Sequence, residues 1–437
     1  MNLQTWLRWD RPVPAAYRSN FTHLFMDTAW YGVLAASAMA FVAVYAARLG
    51  ANGFQLGLLS AGPAVVSLFI TLPAGHWLGR RPIGRSVFWS AASYRFFYLL
   101  WIPLPLLLAP AGQVWALIGI VFLMGVPGTA LAIGFNALYA GAVPPEWRNY
   151  VAGRRNALLA ITFIVVSLLC GALLDRLPFP TSYQVVFGLG VLGGVMSTFH
   201  LWFVVSDPDG QTQPPAGRSI GDLARPGILR TLVDSRRAGV GLRYLTRRKR
   251  PNILRSDVLR GPYARLMLIV AGFHLALYLA VPLFPLHWVN ILHLSDQQIG
   301  LGTAVFYVSV FIGSTQLAHL GEQVGNQRVT AIGAMLMSSY PAFLALSRGL
   351  GLFLVGSAAG GLGWALLGGA LANYVLEKIP AGDRPAHLAW YNLALNAALL
   401  LGSLAGPWVA HLIGVPATLG LSAVLRLAFA LVILRWE

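Results

Sequence analysis

Divided into apolar and polar positions, the chain is a series of long apolar runs separated by short polar breaks. The first, LFMDTAWYGVLAASAMAFVAVYAA, holds a single charged residue, Asp27, between Leu24 and Ala47. The runs are continuously apolar and rich in Leu, Ala and Gly, which excludes a membrane β-barrel built from alternating segments of about ten residues. A hydrocarbon core of about 30 Å needs about 20 apolar helical residues per crossing, because only the helix's own turns can satisfy the backbone there. The pattern predicts twelve such spans: 24–47, 54–78, 86–108, 114–140, 156–174, 183–205, 266–290, 298–320, 329–347, 350–376, 388–411 and 415–435.

The longest polar break, Ser206 to Pro262, divides these spans into six and six. The expected organisation is a bundle over 1–205, a linker over 206–262 and a second bundle over 263–437. Composition agrees with lipid as the main solvent, since 57% of residues are hydrophobic and 10% charged. The opening MNLQTWLRWDRPVPAAYRSN lacks the apolar centre of a signal peptide, so the first span is expected to carry the insertion signal. Cys170, the single cysteine, allows no intrachain disulfide and no thiolate cluster and reads as a small packing residue.

A net charge of +17 raises nucleic acid as a partner, but its distribution points elsewhere. With the N-terminus inside, the inner segments hold Arg8, Arg11, Arg18, Arg80, Arg81, Arg85, Arg148, Arg154, Arg155, thirteen basic residues from Arg218 to Arg265, then Arg328, Lys378, Arg384 and Arg435. The outer segments hold Arg48, Arg176 and Arg348. Basic residues near span ends stay cytoplasmic, so both termini are expected inside, in a bacterial cytoplasmic membrane. The basic, leucine-spotted linker, with RRKR at Arg247 to Arg250, reads either as a solvated positive-inside connection or as a helix lying on anionic lipid. Nothing in it resembles a folded nucleic-acid module, and no nucleic-acid partner is expected.

The chain also repeats itself. AGHWLGRRPIGRSVFW from Ala74 and LAHLGEQVGNQRVTAI, 243 positions later, align His76 with His319 and Arg85 with Arg328. Extended without a gap, the match pairs Gln55 with Gln298, Gly57 with Gly300 and Leu58 with Leu301. At an offset of 236, Pro144 pairs with Pro380, Arg148 with Arg384 and Asn156 with Asn392. Two halves of the same order and orientation imply parallel repeats about an axis along the membrane normal.

At this point YAARLGANGFQLGLLSAGP followed by GHWLGRRPIGR resembles the second span and following loop of the major facilitator superfamily, and the resemblance covers almost the whole chain. The family's loop pattern maps onto Gly75, Arg80 and Arg85, with Gly79 at the acid position and Pro82 at the second glycine. The second half keeps the acid and the glycine as Glu322 and Gly325, followed by Arg328. The resemblance implies that this acid latches the halves on the cytoplasmic side. The Gly-x-x-x-Gly-Pro pattern of many antiporters is absent from the fifth span and stands in the eleventh as Gly402, Gly406 and Pro407, against a drug antiporter of the usual kind. By the same resemblance, spans 1, 4, 7 and 10 line a central cavity in an all-α, twelve-helix fold of two six-helix bundles.

Candidate chemistry is sought on those spans. His23, Asp27 and Tyr31 fall at i, i+4 and i+8 on one face of span 1, with Trp30 beside them. A charge within lipid costs about 2.5 kcal/mol or more, so Asp27 is expected to face a cavity or a partner, as proton carrier or substrate contact, or else to tether the start of the span. Span 7 offers His274 and Tyr278 ahead of Pro282 and Pro285, and the 243 offset sets His274 opposite Tyr31. His274 reads as a proton relay or as a packing residue. Asn136 and Tyr139 of span 4 and Trp364, Asn373 and Tyr374 of span 10 complete an aromatic surface suited to an amphipathic organic molecule. Arg95 and Arg426 sit mid-span, where they either bind an anionic substrate group or bond to neighbouring carbonyls and polar side chains.

Glycine-rich stretches such as VGSAAGGLGWALLGGA lack the Lys-Ser/Thr ending of a phosphate loop and fit close helix packing. No catalytic triad, metal-ligand spacing or carboxylate pair stands out, so neither an enzyme nor a cofactor or metal is expected. The expected function is secondary transport of a small, amphipathic organic solute by a monomer, with proton coupling through Asp27. The alternative is the same fold used for lipid or pigment handling, or for assembly, without a coupled solute cycle.

Overall fold

The computed structural model describes residues 13–206, 259, 261–379 and 384–435. Twelve long helices account for almost all of them: α1 Ala15–Arg48, α2 Gly53–Leu78, α3 Ile83–Leu99, α4 Pro110–Ala142, α5 Arg148–Arg176, α6 Thr181–Trp202, α7 Gly261–Ala280, α8 Asp296–Val324, α9 Asn326–Leu346, α10 Leu350–Glu377, α11 Arg384–Ile413 and α12 Val415–Arg435. Eleven are long and apolar enough to cross a membrane. The exception is α3, with 17 residues. The expected third span of 86–108 is cut short because the chain turns after Leu99 and continues as the single helical turn Leu104–Leu107, where Pro103 and Pro105 supply no backbone donors. Most of the linker, 207–258 with its Arg247–Arg250 run, and Pro380 lie outside the described residues.

Two helices begin more than two turns earlier than apolarity alone predicts, α1 at Ala15 rather than 24 and α5 at Arg148 rather than 156. Near their starts they carry polar residues that bond to neighbouring chain. Asn20 donates to the carbonyls of Ala142 and Val205, and Arg148 donates to those of Ala140 and Val143. As the prolines predict, α7 is interrupted after Ala280 and resumes through Leu283–Leu286 and a wider π turn, His287–Ile291.

The repeat is visible at the helix starts. Asn52 and Gln55 close a capping box at α2, and Ser295 and Gln298 close the same box at α8. Helices α3 and α9 begin at Ile83 and Asn326, 243 positions apart, so Gly75 to Arg85 and Ala318 to Arg328 both form the turn between the second and third helix of their half.

The halves meet along two seams, α2 against α11 and α5 against α8. We call the end of the bundle occupied by residues 206 and 261 the linker end and the opposite one the far end. At the far end a single apolar cluster crosses between halves, joining Phe41, Tyr45 and Phe187 to Leu283, Val289 and Phe353. Toward the linker end the core divides. Phe21, Leu24, Val87 and Leu138 belong to a cluster of the first half, and Val270, Phe273, Ala331 and Leu371 to one of the second. Burial therefore holds the halves together at one end and builds a separate core in each at the other.

Each half is also fastened internally by a buried arginine. Arg95 of α3 donates to Ser197 and Thr198 of α6, both at 2.7 Å. Arg426 of α12 donates to the carbonyls of Met337 in α9, at 3.0 Å, and Leu277 in α7, at 2.9 Å. Each thus ties the third helix of its half to the sixth, but from opposite partners. Ser338, 243 positions after Arg95, adjoins the Met337 carbonyl that Arg426 uses.

Candidate functional site

Asp27 lies in the middle of α1, where the helix passes α3, α5 and α6. It is 4% exposed. Its Oδ1 accepts from Ser197 Oγ at 2.5 Å and lies 3.7 Å from Arg95 Nη2. Its Oδ2 accepts from Arg155 Nη2 at 3.4 Å. Arg155 also donates Nε to Thr28 Oγ1 at 2.6 Å, one position along α1. An isolated carboxylate at this depth would be strongly disfavoured, and two guanidinium groups and a hydroxyl replace the water it has lost. The carboxyl thus forms part of a cluster of four helices, whereas the sequence pattern left it as a lone charge on the face of one.

Arg155 extends the cluster to α4. Its guanidinium carbon lies 4.8 Å from the ring centre of Phe135 and 5.4 Å from that of Tyr139, within cation–π range. Tyr139, a predicted cavity residue, gives its hydroxyl proton to the Arg148 carbonyl at 3.2 Å. Asn136, predicted beside it, bonds to its own helix at Ala132. Arg155 was read from sequence only as one of the basic residues at a cytoplasmic turn. Adjacent positions on a helix diverge by about 100°, so the Arg154–Arg155 pair divides: Arg154 lies over the Tyr150 ring and Arg155 turns inward.

The other residues of the predicted α1 face separate. His23 does not approach Asp27 with a described hydrogen bond; its Nδ1 lies 3.0 Å from Nδ1 of His200 on α6, and its ring stacks on Phe203. Trp30 and Tyr31 are half-buried. In the second half, His274 is bonded by Nδ1 to the Val270 carbonyl one turn back, at 2.8 Å, and packs on Phe273 and Tyr278. Tyr374 packs into the core of the second half with Leu371 and Val375, while Trp364 and Asn373 are half-buried. Both mid-span arginines bond within the protein, Arg426 to two carbonyls and Arg95 to two hydroxyls beside a carboxylate.

At the linker end, Gly75 is buried, while Arg80, Arg85, Glu322 and Arg328 are exposed. Glu322 lies in the last turn of α8, and Gly325 ends that helix with φ 83°, a conformation glycine adopts without strain. At the far end, cross-half hydrogen bonds reinforce the shared apolar cluster. Arg48 Nη2 reaches Asp296 Oδ1 at 3.0 Å and the Leu294 carbonyl at 2.6 Å. Asp175 of α5 accepts from the backbone N–H groups of Asp296 and Gln297, the first turn of α8, as a carboxylate at a helix N-terminus does.

Comparison with known proteins accords with this geometry. The family model described as Major Facilitator Superfamily matches residues 21–273 and 266–437. Multidrug resistance protein 2 of Bacillus subtilis (strain 168) is 23% identical over 136 residues, 31% of this chain. That alignment spans about a third of the relative's own length, 34%. Among solved structures, the nucleoside transporter NupG superposes with a TM-score of 0.62 at 13% identity, over 95% of this chain and 99% of that one. A bacterial homologue of the iron transporter ferroportin in an inward-facing state gives 0.64 at 15% identity, over 94% and 98%. The human organic anion transporter MFSD10 gives 0.60 at 13%, over 96% and 100%.

Proposed function

We propose that this chain, which belongs to the Major Facilitator Superfamily, is a secondary transporter that moves a small amphipathic organic solute by alternating access, with Asp27 as the proton-coupling group. The observation that carries the reading is the position of Asp27: one carboxyl shared between α1, α3, α5 and α6 of a single half. Adding or removing its proton changes how strongly two arginines are held, and so changes the packing of four helices at once. That is the kind of bistable link by which a small local event biases a rigid-body movement.

Alternating access follows from two bodies joined at one end. Rocking about the seams would part the far-end cluster of Phe41, Phe187 and Val289 and bring together the linker-end cores. The excess of arginine at the linker end supports a cytoplasmic placement for that end, in a bacterial cytoplasmic membrane, which makes this conformation inward-facing. Function as a monomer, with anionic lipid against the basic linker, completes the reading. The similar proteins include transporters of nucleosides and organic anions, a homologue of an iron transporter and a multidrug resistance protein, and the half-buried aromatics Trp30, Tyr31 and Phe135 favour an organic solute among these.

The test is transport by the purified protein in sealed vesicles. An imposed proton gradient should drive accumulation of a solute identified by thermal-stabilisation screening. Asp27→Asn should abolish accumulation and retain downhill exchange. Equal accumulation by the variant and the parent removes the coupling role.

A further inference from the structure

The cluster around Asp27 is not neutral. It sets two guanidinium groups against one carboxylate, and the side chains of Arg95, Arg155 and Asp27 are 6%, 6% and 5% exposed. A buried excess of positive charge is costly unless an anion meets it. The two arginines differ in what they leave free. Arg95 directs Nη1 and Nη2 to Thr198 and Ser197, and what it leaves without a partner is Nε, which is sealed from solvent. Arg155 uses Nε for Thr28 and Nη2 for Asp27, and among the described residues its Nη1 takes no hydrogen bond. That free edge lies beside two aromatic rings, Phe135 and Tyr139, each half-buried.

Its depth in the seam is equally specific. Phe163, eight residues along α5, stacks on Tyr307 of the second half with ring centres 4.0 Å apart. At 1.5 Å per residue, Arg155 lies about 12 Å from that contact toward the linker end, where the two halves have separate cores. The described partners of Arg155, namely Thr28, Asp27, Phe135 and Tyr139, all belong to the first half, and 6% of its side chain stays open.

We infer that the free edge of Arg155 seats the anionic head of the solute, a carboxylate or similar oxyanion, with the solute's apolar body against Phe135 and Tyr139. This names the substrate class of the transport site proposed above and rests on that reading. A planar guanidinium fork matches an oxyanion's paired lone pairs better than a point charge does. Asp27 is then the internal competitor of the solute. The groups that face it are Arg95 from α3, Arg155 from α5 and Ser197 from α6; Thr28 on its own helix holds Arg155, and His23 one turn away is held by His200. Protonating Asp27 releases Nη2 of Arg155 as well, so proton and anion each raise the affinity for the other.

Calorimetric titration of the purified full chain in detergent tests this with 2-naphthoate and its uncharged counterpart 2-naphthamide. The parent should bind the carboxylate at least about tenfold more tightly than the amide, the scale of one charge-assisted contact. Arg155→Gln should remove that preference, and Arg155→Lys should restore part of it. Asp27→Asn, which removes the competitor, should tighten 2-naphthoate binding by about tenfold. Equal affinities in the parent, no measurable 2-naphthoate binding, or weaker binding in Asp27→Asn would each overturn the inference. The parent titrations decide alone if the Arg155→Gln protein does not fold. Binding in detergent needs no gradient, so a failure here is distinct from a failure of proton-driven uptake.

Discussion

Gly57 and Gly300, 243 positions apart, stand at the two crossings between the halves: Gly57 against the Ser403 carbonyl of α11 and Gly300 against the Ser167 carbonyl of α5. A Cβ at either site would come within 2.5 Å of that oxygen. The matching residues reflect matching jobs, since the second helix of each half must pass within backbone distance of the fifth helix of the other.

From this follows a conformational prediction. Gly57→Ala and Gly300→Ala should each disfavour the conformation in which the far end is closed. Spin labels at Leu107→Cys and Leu346→Cys, exposed far-end positions on different halves, report the separation. Cys170 is buried and leaves the labelling specific. The distance distribution should shift to longer values in both variants, and an unchanged distribution would show that the crossing has room to spare.

Arg48 and Asp296 offer a second way to shift the same equilibrium. Their side chains are 26% and 10% exposed, so the pair is partly shielded from solvent screening. Arg48→Ala or Asp296→Asn should raise the far-end-open population by roughly tenfold, equivalent to about 1.4 kcal/mol. The exchange Arg48→Asp with Asp296→Arg should recover part of the closure, and the same label pair reads both.

Arg426 should matter for stability rather than transport specificity. Arg426→Met removes a buried cation and its bonds to the carbonyls of Met337 and Leu277, and it orphans the first, since the residue one turn on, Pro341, has no N–H to give. An orphaned buried acceptor costs roughly 1–3 kcal/mol. The melting temperature in detergent should fall by several degrees while the preference for 2-naphthoate over 2-naphthamide persists. Loss of that preference would place Arg426 in the binding path.

If a monovalent anion and one proton enter together, Arg155 gains a negative charge and Asp27 loses one. The loaded and empty clusters then carry the same net charge. Proton-driven uptake into vesicles should accordingly respond to the pH difference and be insensitive to a potassium diffusion potential. Uptake that follows the potential at constant pH would exclude this stoichiometry.

Much of this architecture is legible in the amino-acid sequence, because lipid imposes a length on every crossing and the repeat fixes a register. The Gln-x-Gly-Leu frame at Gln55 and Gln298 is readable for a physical reason, as its glutamines close capping boxes and its glycines stand at crossings. The site is less legible. Asp27 stands out as a lone acid in an apolar run, but its partners come from α3, α5 and α6, and sequence spacing carries no information about which helices adjoin. Arg155 is hidden by the company it keeps, next to Arg154 in a stretch that looks like the basic edge of a span. Tyr374, polar and on the tenth helix, packs with Leu371 and Val375 in the core of its own half, a placement that spacing alone does not specify.

The opposed arginines, Arg95 on the third helix and Arg426 on the twelfth, also carry a historical consequence. If the halves descend from one duplicated ancestor, what persisted was the tie between two helices, while the residue providing it changed sides. Such a tie should be transferable: Arg426→Ser combined with Ser338→Arg would rebuild in the second half the polarity found in the first. Recovery of thermal stability by the double variant would mark the two polarities as interchangeable solutions that drift alone can exchange.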